Sequence, residues 1–382
     1  MRVLVGCEFG GGSGHAVFVA SVTRILRELN PACQIEVHAS RGHALTATKR
    51  DYDDWRRIPH LVERSIRPRA RRTFGLMLFD TLCGEADIWD ARLRYWDEAF
   101  TRFKPDVVLA EYSPGLSMFA RGRVPTVVTG TGYSIPPPDL RSFPSYREAE
   151  DDALNEADCV ETLNRGLRQV GASPLQFLPQ MNAGDLVALV TLPLFDPYWE
   201  VRKELYLGAE IPSGAPRPGP ATSRILAYFS DAVLPDSTWA ELGAINRQIE
   251  VYGTGRRPKN LPANLVMRDR PFDLARDLPG ADLAIHCGGL GFSSSAVLAG
   301  VRQLVLYEHD EHWGQARGVA LARVGRGLPL LSLEAGQVRE AAEQLLGDQQ
   351  CKGFALALAK QYAPFAEGRP SERIAKEILL RA

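Results

Sequence analysis

The sequence has no apolar run long enough to span a bilayer. Its longest, Leu186–Phe195, covers ten residues and includes Thr191 and Pro193, against the roughly twenty that a membrane helix needs. The chain opens Met-Arg-Val-Leu-Val-Gly, strand-like from the start and without an apolar core followed by a small-residue cleavage site, so no secretory leader is expected. Charge of neither sign dominates: 45 Lys and Arg against 46 Asp and Glu leave a net −1, which argues against a general nucleic-acid binder. Six cysteines (Cys7, Cys33, Cys83, Cys159, Cys287, Cys351) are scattered without a C-x-x-C pair, against both a disulfide framework and a structural zinc site, and read as small packed hydrophobes. Lysine is scarce, seven against thirty-eight arginines, a bias read as genomic. The rest is ordinary: 382 residues, 45% hydrophobic and 24% charged, a composition that excludes wholesale disorder and suggests two or three domains of a cytoplasmic protein.

Strand and helix signals alternate. Arg2–Val5 reads as a strand, and Phe18, Val22, Ile25, Leu26 and Leu29 then recur at helical spacing until Asn30-Pro31. Further strands are expected at Gln34–Ala39, Asp106–Ala110 and Thr126–Thr129. Residues 207–223, rich in Gly, Pro, Ala and Ser, form the best linker. The alternation restarts with strands at Arg224–Ser230, Ile249–Tyr252, Leu265–Met267, Leu283–His286 and Gln303–Tyr307, and a helix over Ser293–Ala299. The pattern predicts an α/β chain: an N-terminal Rossmann-like domain over 1–206, a second over 224–368, and a last helix within 369–382 that packs on either half. A ligand cleft between two such domains is the expectation.

Two glycine loops carry the chemistry. Gly10-Gly11-Gly12-Ser13-Gly14-His15 follows a strand and opens a helix, where backbone can approach an anionic or polar ligand. It lacks the Gly-Lys-Ser/Thr of a Walker loop, and Val37-His38-Ala39 leaves no acid at the end of the second strand, as a dinucleotide site requires. A plain tight turn is the alternative. His15 stands at the helix start, where the dipole disfavours imidazolium, and so is a candidate base. The second loop, His286-Cys287-Gly288-Gly289-Leu290-Gly291-Phe292-Ser293-Ser294-Ser295, combines three glycines with three serines as a nest for a diphosphate, or is a serine-capped turn. Downstream, Glu308-His309-Asp310-Glu311-His312 is expected in a short polar loop, where its side chains suit sugar hydroxyls better than a metal.

At these residues the sequence resembles the GT-B fold glycosyltransferases, in the family-one group of bacterial natural-product enzymes. His286–Ser294 is similar to that group's His-x-Gly-Gly loop, Ala299-Gly300-Val301 to its Ala-Gly-Val-Pro, and Glu311-His312 to its acidic pair. Gly11–His15 resembles its Gly-x-Gly-His turn, Pro105–Val108 a later strand, and Gly130-Thr131-Gly132-Tyr133 the loop after it. Thr191-Leu192-Pro193 with Asp196 resembles the segment before its linker, and Pro271-Phe272-Asp273 its base-binding turn. Three positions depart: Ala296 replaces the acid that touches the nucleotide ribose, Arg302 the proline and His312 the glutamine.

The resemblance implies two Rossmann-like domains facing across a deep cleft and an inverting transfer from a UDP- or dTDP-linked sugar to an acceptor hydroxyl. His15 would be the general base; Glu111, just past the Asp106–Ala110 strand, either orients it or is a solvated strand-end carboxylate. Gly12, Ser13, Gly14, Ser230, Arg268, Phe272, His286, Gly288, Gly289, Gly291, Ser293, Ser294, Glu311 and His312 would bind the donor. No metal and no cofactor beyond the nucleotide-sugar co-substrate are implied, and the Asp51-Tyr52-Asp53 string reads as surface. A nucleotide-sugar 2-epimerase and a catalytically inactive nucleotide-sugar-binding protein remain open. For the acceptor, residues 56–72 hold seven arginines and one acid, Glu63, which fits a solvated loop, an anionic acceptor, a carrier protein or peripheral membrane contact. Phe74, Phe79, Trp89, Tyr95, Trp96 and Phe100 follow, as core or as the lining for a flat aromatic or lipidic acceptor.

Overall fold

The computed structural model describes residues 1–9, 13–40, 51–59, 71–79, 86–148, 154–211, 214–230 and 232–382, with Ser13 described in its backbone only. Gly10, Gly11 and Gly12 of the first loop, Arg64, Arg67 and Arg69 of the basic segment, and Cys83 lie outside the described residues.

The chain forms two compact units. One comprises Met1–Val190, Pro197–Glu210 and Arg369–Ala382, the other Thr191–Asp196 and Ile211–Gly368. The units therefore interleave in sequence, and no single boundary at 206/207 separates them. The cause is apolar burial: Leu192 and Phe195 pack with Val297, Leu298, Ala316 and Val319 of the second unit. Ile374, Ala375 and Ile378 of the last helix, Pro370–Arg381, pack with Val19, Val22 and Leu26 of the first.

The first unit holds a seven-stranded sheet in the order β3-β2-β1-β4-β5-β6-β7. The strands are β1 (Arg2–Cys7), β2 (Gln34–Ala39), β3 (Asp54–Arg57), β4 (Val107–Glu111), β5 (Thr126–Gly130), β6 (Leu186–Leu189) and β7 (Leu205–Tyr206). The second unit holds β8 (Ile225–Ser230), β9 (Ile249–Gly253), β10 (Leu265–Met267), β11 (Leu283–His286), β12 (Arg302–Tyr307) and β13 (Gly325–Pro329), ordered β10-β9-β8-β11-β12-β13. Every pairing among them is parallel. Central strands such as β1 and β4 are almost wholly buried apolar runs, as strands covered on both faces must be.

Strand order reverses between β1 and β4, and again between β8 and β11. In open parallel sheets, ligands bind beyond the carboxyl ends of the strands at these switch points. At each, a non-glycine residue adopts a left-handed backbone: Tyr112, φ 44°, directly after β4, and Ser230, φ 47°, at the end of β8. Such conformations concentrate at functional sites.

Two of the sequence departures have structural explanations. Ala296 is fully buried and packs with Leu226, Leu278, Ala281 and Ala284, where a carboxylate would be desolvated. Arg302, also buried, donates to the carbonyls of Leu345 at 2.5 Å, Leu346 at 3.1 Å and Asp348 at 3.2 Å. It thereby satisfies the open carboxyl end of the helix Gln337–Gly347.

Candidate active site

In the first unit, β1, β4 and helix α1 (Ser13–Leu29) converge. Glu111 is the last residue of β4, not a residue beyond it, and is buried. Its Oε1 lies 2.7 Å from Nδ1 of His15, which is partly exposed in the first turn of α1. Its other oxygen, Oε2, accepts a hydrogen bond from the Cys7 thiol at 3.1 Å. Glu111 thus faces His15 on one side and the end of β1 on the other. The Tyr112 ring packs beside His15, with centroids 5.9 Å apart, and continues into Phe9 at 5.6 Å and Phe74 at 6.2 Å. With Nδ1 hydrogen-bonded to a carboxylate, the Nε2 lone pair is the one that can take a proton.

In the second unit, the loop after β11 turns through Gly288, φ +97°, into helix α2 (Leu290–Leu298). The bond from Ser293 N–H to Gly289 O opens the helix, so among the described residues the Leu290, Gly291 and Phe292 amides precede it without a backbone acceptor. Among the described residues, no side-chain hydrogen bond caps this end. A methyl on Gly289 would meet nothing within 4 Å, whereas one on Gly288 would press on His312 at 3.0 Å. The loop is therefore open beside Gly289, and a helix N-terminus of this kind suits an anion.

His286, expected among the donor-binding residues, is engaged within the unit. It is fully buried, its Nδ1 accepts the Gly288 amide hydrogen at 3.1 Å, and its Nε2 donates to Gln303 Oε1 at 3.0 Å. Burial lowers its pKa to about 4, against a smaller opposing effect of the Gln303 bond. Both nitrogens are engaged inside the unit, so this histidine shapes the loop. Ser293 is likewise buried and donates its hydroxyl to Gly289 O at 3.0 Å, a helix back-bond. Ser294 Oγ and His312 Nδ1 are buried without a hydrogen-bond partner among the described residues, the kind of orphan a ligand or water completes.

Glu311 and His312 stand in the first turn of helix α3 (Asp310–Leu321), not in a loop. His309 takes the cap position in extended backbone, and acids at Asp310 and Glu311 suit the positive helix end. The His309 and His312 rings lie 3.8 Å apart. Burial, then the neighbouring His309 and His286, pushes the His312 pKa well below the usual range.

Arg268 is held by Glu250 at 3.0 Å and Asp277 at 3.6 Å, and its guanidinium lies 4.9 Å over the Phe272 ring. It braces the turn at Phe272 by packing. Sequence reasoning missed the neighbouring aromatic stack, in which Tyr228 lies parallel to Phe292 at 4.9 Å and to Tyr252 at 5.6 Å. Tyr228 and Tyr252 are register partners of β8 and β9, a cross-strand pair visible only once the pairing is known.

Other candidates have partners or burial within the first unit. Asp53 Oδ2 accepts the Ile35 amide at 2.7 Å and pairs with Arg27 at 2.9 Å. Trp89 and Trp96 are buried in the core. Of the basic segment, Arg56 pairs with Glu36 and Asp54, and Arg71 is buried. Among the described residues, one group has metal-ligand spacing: Cys7, His15 and Glu111, whose ligand atoms all lie within 4.8 Å of one another. Also among the described residues, no helix is long and apolar enough to cross a membrane.

Two parallel Rossmann-like sheets of this order define the GT-B fold. The glycosyltransferase of kitacinnamycin superposes with a TM-score of 0.69 at 15% identity, covering 98% of each chain. The calicheamicin glycosyltransferase CalG4 does so at 0.68 and 16%, over 100% of this chain and 98% of its own. VinC, a glycosyltransferase solved in complex with dTDP, does so at 0.68 and 13%, over the whole of both chains. No protein-family model matches the sequence, and no curated protein does.

Proposed function

We propose that the protein is an inverting glycosyltransferase that moves a sugar from a nucleoside-diphosphate sugar to an acceptor hydroxyl. The observation that carries this reading is the 2.7 Å bond between His15 and the buried Glu111 at the switch point of the first sheet. A hydroxyl is a poor nucleophile at neutral pH, and a positioned base contributes roughly 10²- to 10⁴-fold. His15 Nε2 takes the acceptor proton as its oxygen bonds to the anomeric carbon. The bond from that carbon to the diphosphate breaks, and the electron pair leaves with the nucleotide. Glu111 orients the ring and stabilises its charged form, as the acid does in a catalytic triad.

The second unit supplies the donor site. The Leu290, Gly291 and Phe292 amides meet the diphosphate charge in place of a metal, and one such preorganised donor is worth roughly 3 kcal/mol. The turn at Phe272 and the Tyr228 stack suit the base, and Glu311 with His312 the sugar. The dTDP bound by VinC supports a thymidine or uridine donor, and no resident cofactor enters the reaction. Calorimetric titration with UDP, dTDP, GDP and ADP, without metal, tests the reading. Binding of one of them is expected, and binding of none would overturn it. Isomerisation of the nucleotide sugar with no acceptor present would instead make the protein an epimerase.

A further inference from the structure

Glu111 joins His15 to a group that the transfer reaction does not use, the Cys7 thiol. Sulfur, imidazole nitrogen and carboxylate oxygen are the three donor types zinc takes, and a catalytic-type site has three protein ligands and one open position. Sγ and Oε2 are already 3.1 Å apart, and the three ligand atoms span no more than 4.8 Å. Bonds of about 2.0–2.3 Å need ligand atoms roughly 3.3–3.7 Å apart, so closure takes shifts of about an ångström. Cys7 and Glu111 are buried, and His15 is the partly exposed member of the group.

We infer that Cys7, His15 and Glu111 form a binding site for a soft divalent cation of the zinc class, and that its occupation switches off the His15 base. On binding, the thiol releases its proton to solvent. The imidazole hydrogen moves from Nδ1 to Nε2 as Nδ1 ligates the cation. The lone pair that would accept the acceptor proton is then gone, and the Glu111 charge is committed to the metal. Only this second half rests on the glycosyltransferase reading.

Cobalt(II), titrated into the metal-stripped full chain, reads the site directly. One equivalent should give a near-ultraviolet thiolate-to-cobalt band with strong visible bands, bleached by zinc. Cys7→Ser, with its fold verified by circular dichroism, should lose the ultraviolet band. No saturable band, or one that survives in Cys7→Ser, overturns the site. In the transfer assay, zinc should suppress turnover by at least tenfold, a chelator should restore it, and Cys7→Ser should need at least tenfold more zinc. Zinc that binds while transfer continues overturns the switch. A metal-free protein that transfers no sugar to any acceptor fails the glycosyltransferase reading, while the cobalt result stands by itself.

Discussion

Nδ1 of His15 and Oε1 of Glu111 stand 2.7 Å apart although 96 positions separate them in the chain. The parallel pairing of β1 with β4 brings them together: Gly6 lies beside Ala110, which leaves Cys7 and Glu111 at adjacent strand ends. Glu111 is buried within the pair, and His15 is its partly exposed member.

His15→Ala should lower kcat by roughly 10²- to 10⁴-fold, the usual contribution of a positioned base. Glu111→Gln, which keeps the shape but not the charge, should lower kcat while sparing nucleotide affinity. Steady-state kinetics with calorimetry of nucleotide binding separates the two effects. A His15→Ala variant with undiminished turnover would remove the base assignment.

The two loop glycines should respond differently. At Gly288 a side chain meets both an unfavourable φ of +97° and the His312 backbone at 3.1 Å, so Gly288→Ala should lose stability by roughly 1–3 kcal/mol. At Gly289 a methyl meets open space, so Gly289→Ala should keep its melting temperature and lose nucleotide affinity. Denaturant melts and titrations of both variants check this contrast.

Acid should weaken the second unit through His286. Its folded pKa, about 4 through burial, lies below the roughly 6.5 of an unfolded histidine. The unfolded chain therefore binds the proton more readily, and stability present above pH 6.5 is lost as pH falls toward 4. A shift of this size is worth roughly 3 kcal/mol. His286→Asn, which can still accept the Gly288 amide, should flatten that part of the profile in urea melts against pH.

The first unit should respond in a lower window through Glu36. Burial opposes its charge, but hydrogen bonds from Arg102 and His38 prevail and hold its pKa at about 2. Arg102 donates to it at 2.7 Å and His38 at 2.5 Å. Stability is present above the ordinary carboxyl range near 4.5 and lost as pH falls from there toward 2. Glu36→Gln should be less stable at pH 7 and show a shallower decline below pH 4.5. Unchanged melts at both pH values would contradict this role.

Much of the fold was legible because burial leaves a local pattern. The edges were not. β3, Asp-Trp-Arg-Arg, and β13, Gly-Arg-Gly-Leu-Pro, carry little apolar signal because an edge strand has one side without a partner strand. The helix read from Ser293 begins at Leu290, since glycines beside the turn hide its first residues. His15 and Glu111 were legible as candidates from their places at element ends. The engaged nitrogens of His286 were not, because Gln303 is its partner only through the β11–β12 packing.

By itself the sequence determined the alternation of strands and helices and the two glycine loops. A strand's or helix's apolar face repeats at its own period, and a glycine's freedom belongs to its own backbone. Only the tertiary structure decided which polar groups face a ligand and which are committed to one another. It joined Cys7 to Glu111 across 104 positions, turned His286 inward, and drew Leu192 and Phe195 into the second unit. Side-chain partners are set by which strands pair and which faces they bury, and those long-range contacts leave no mark on neighbouring residues.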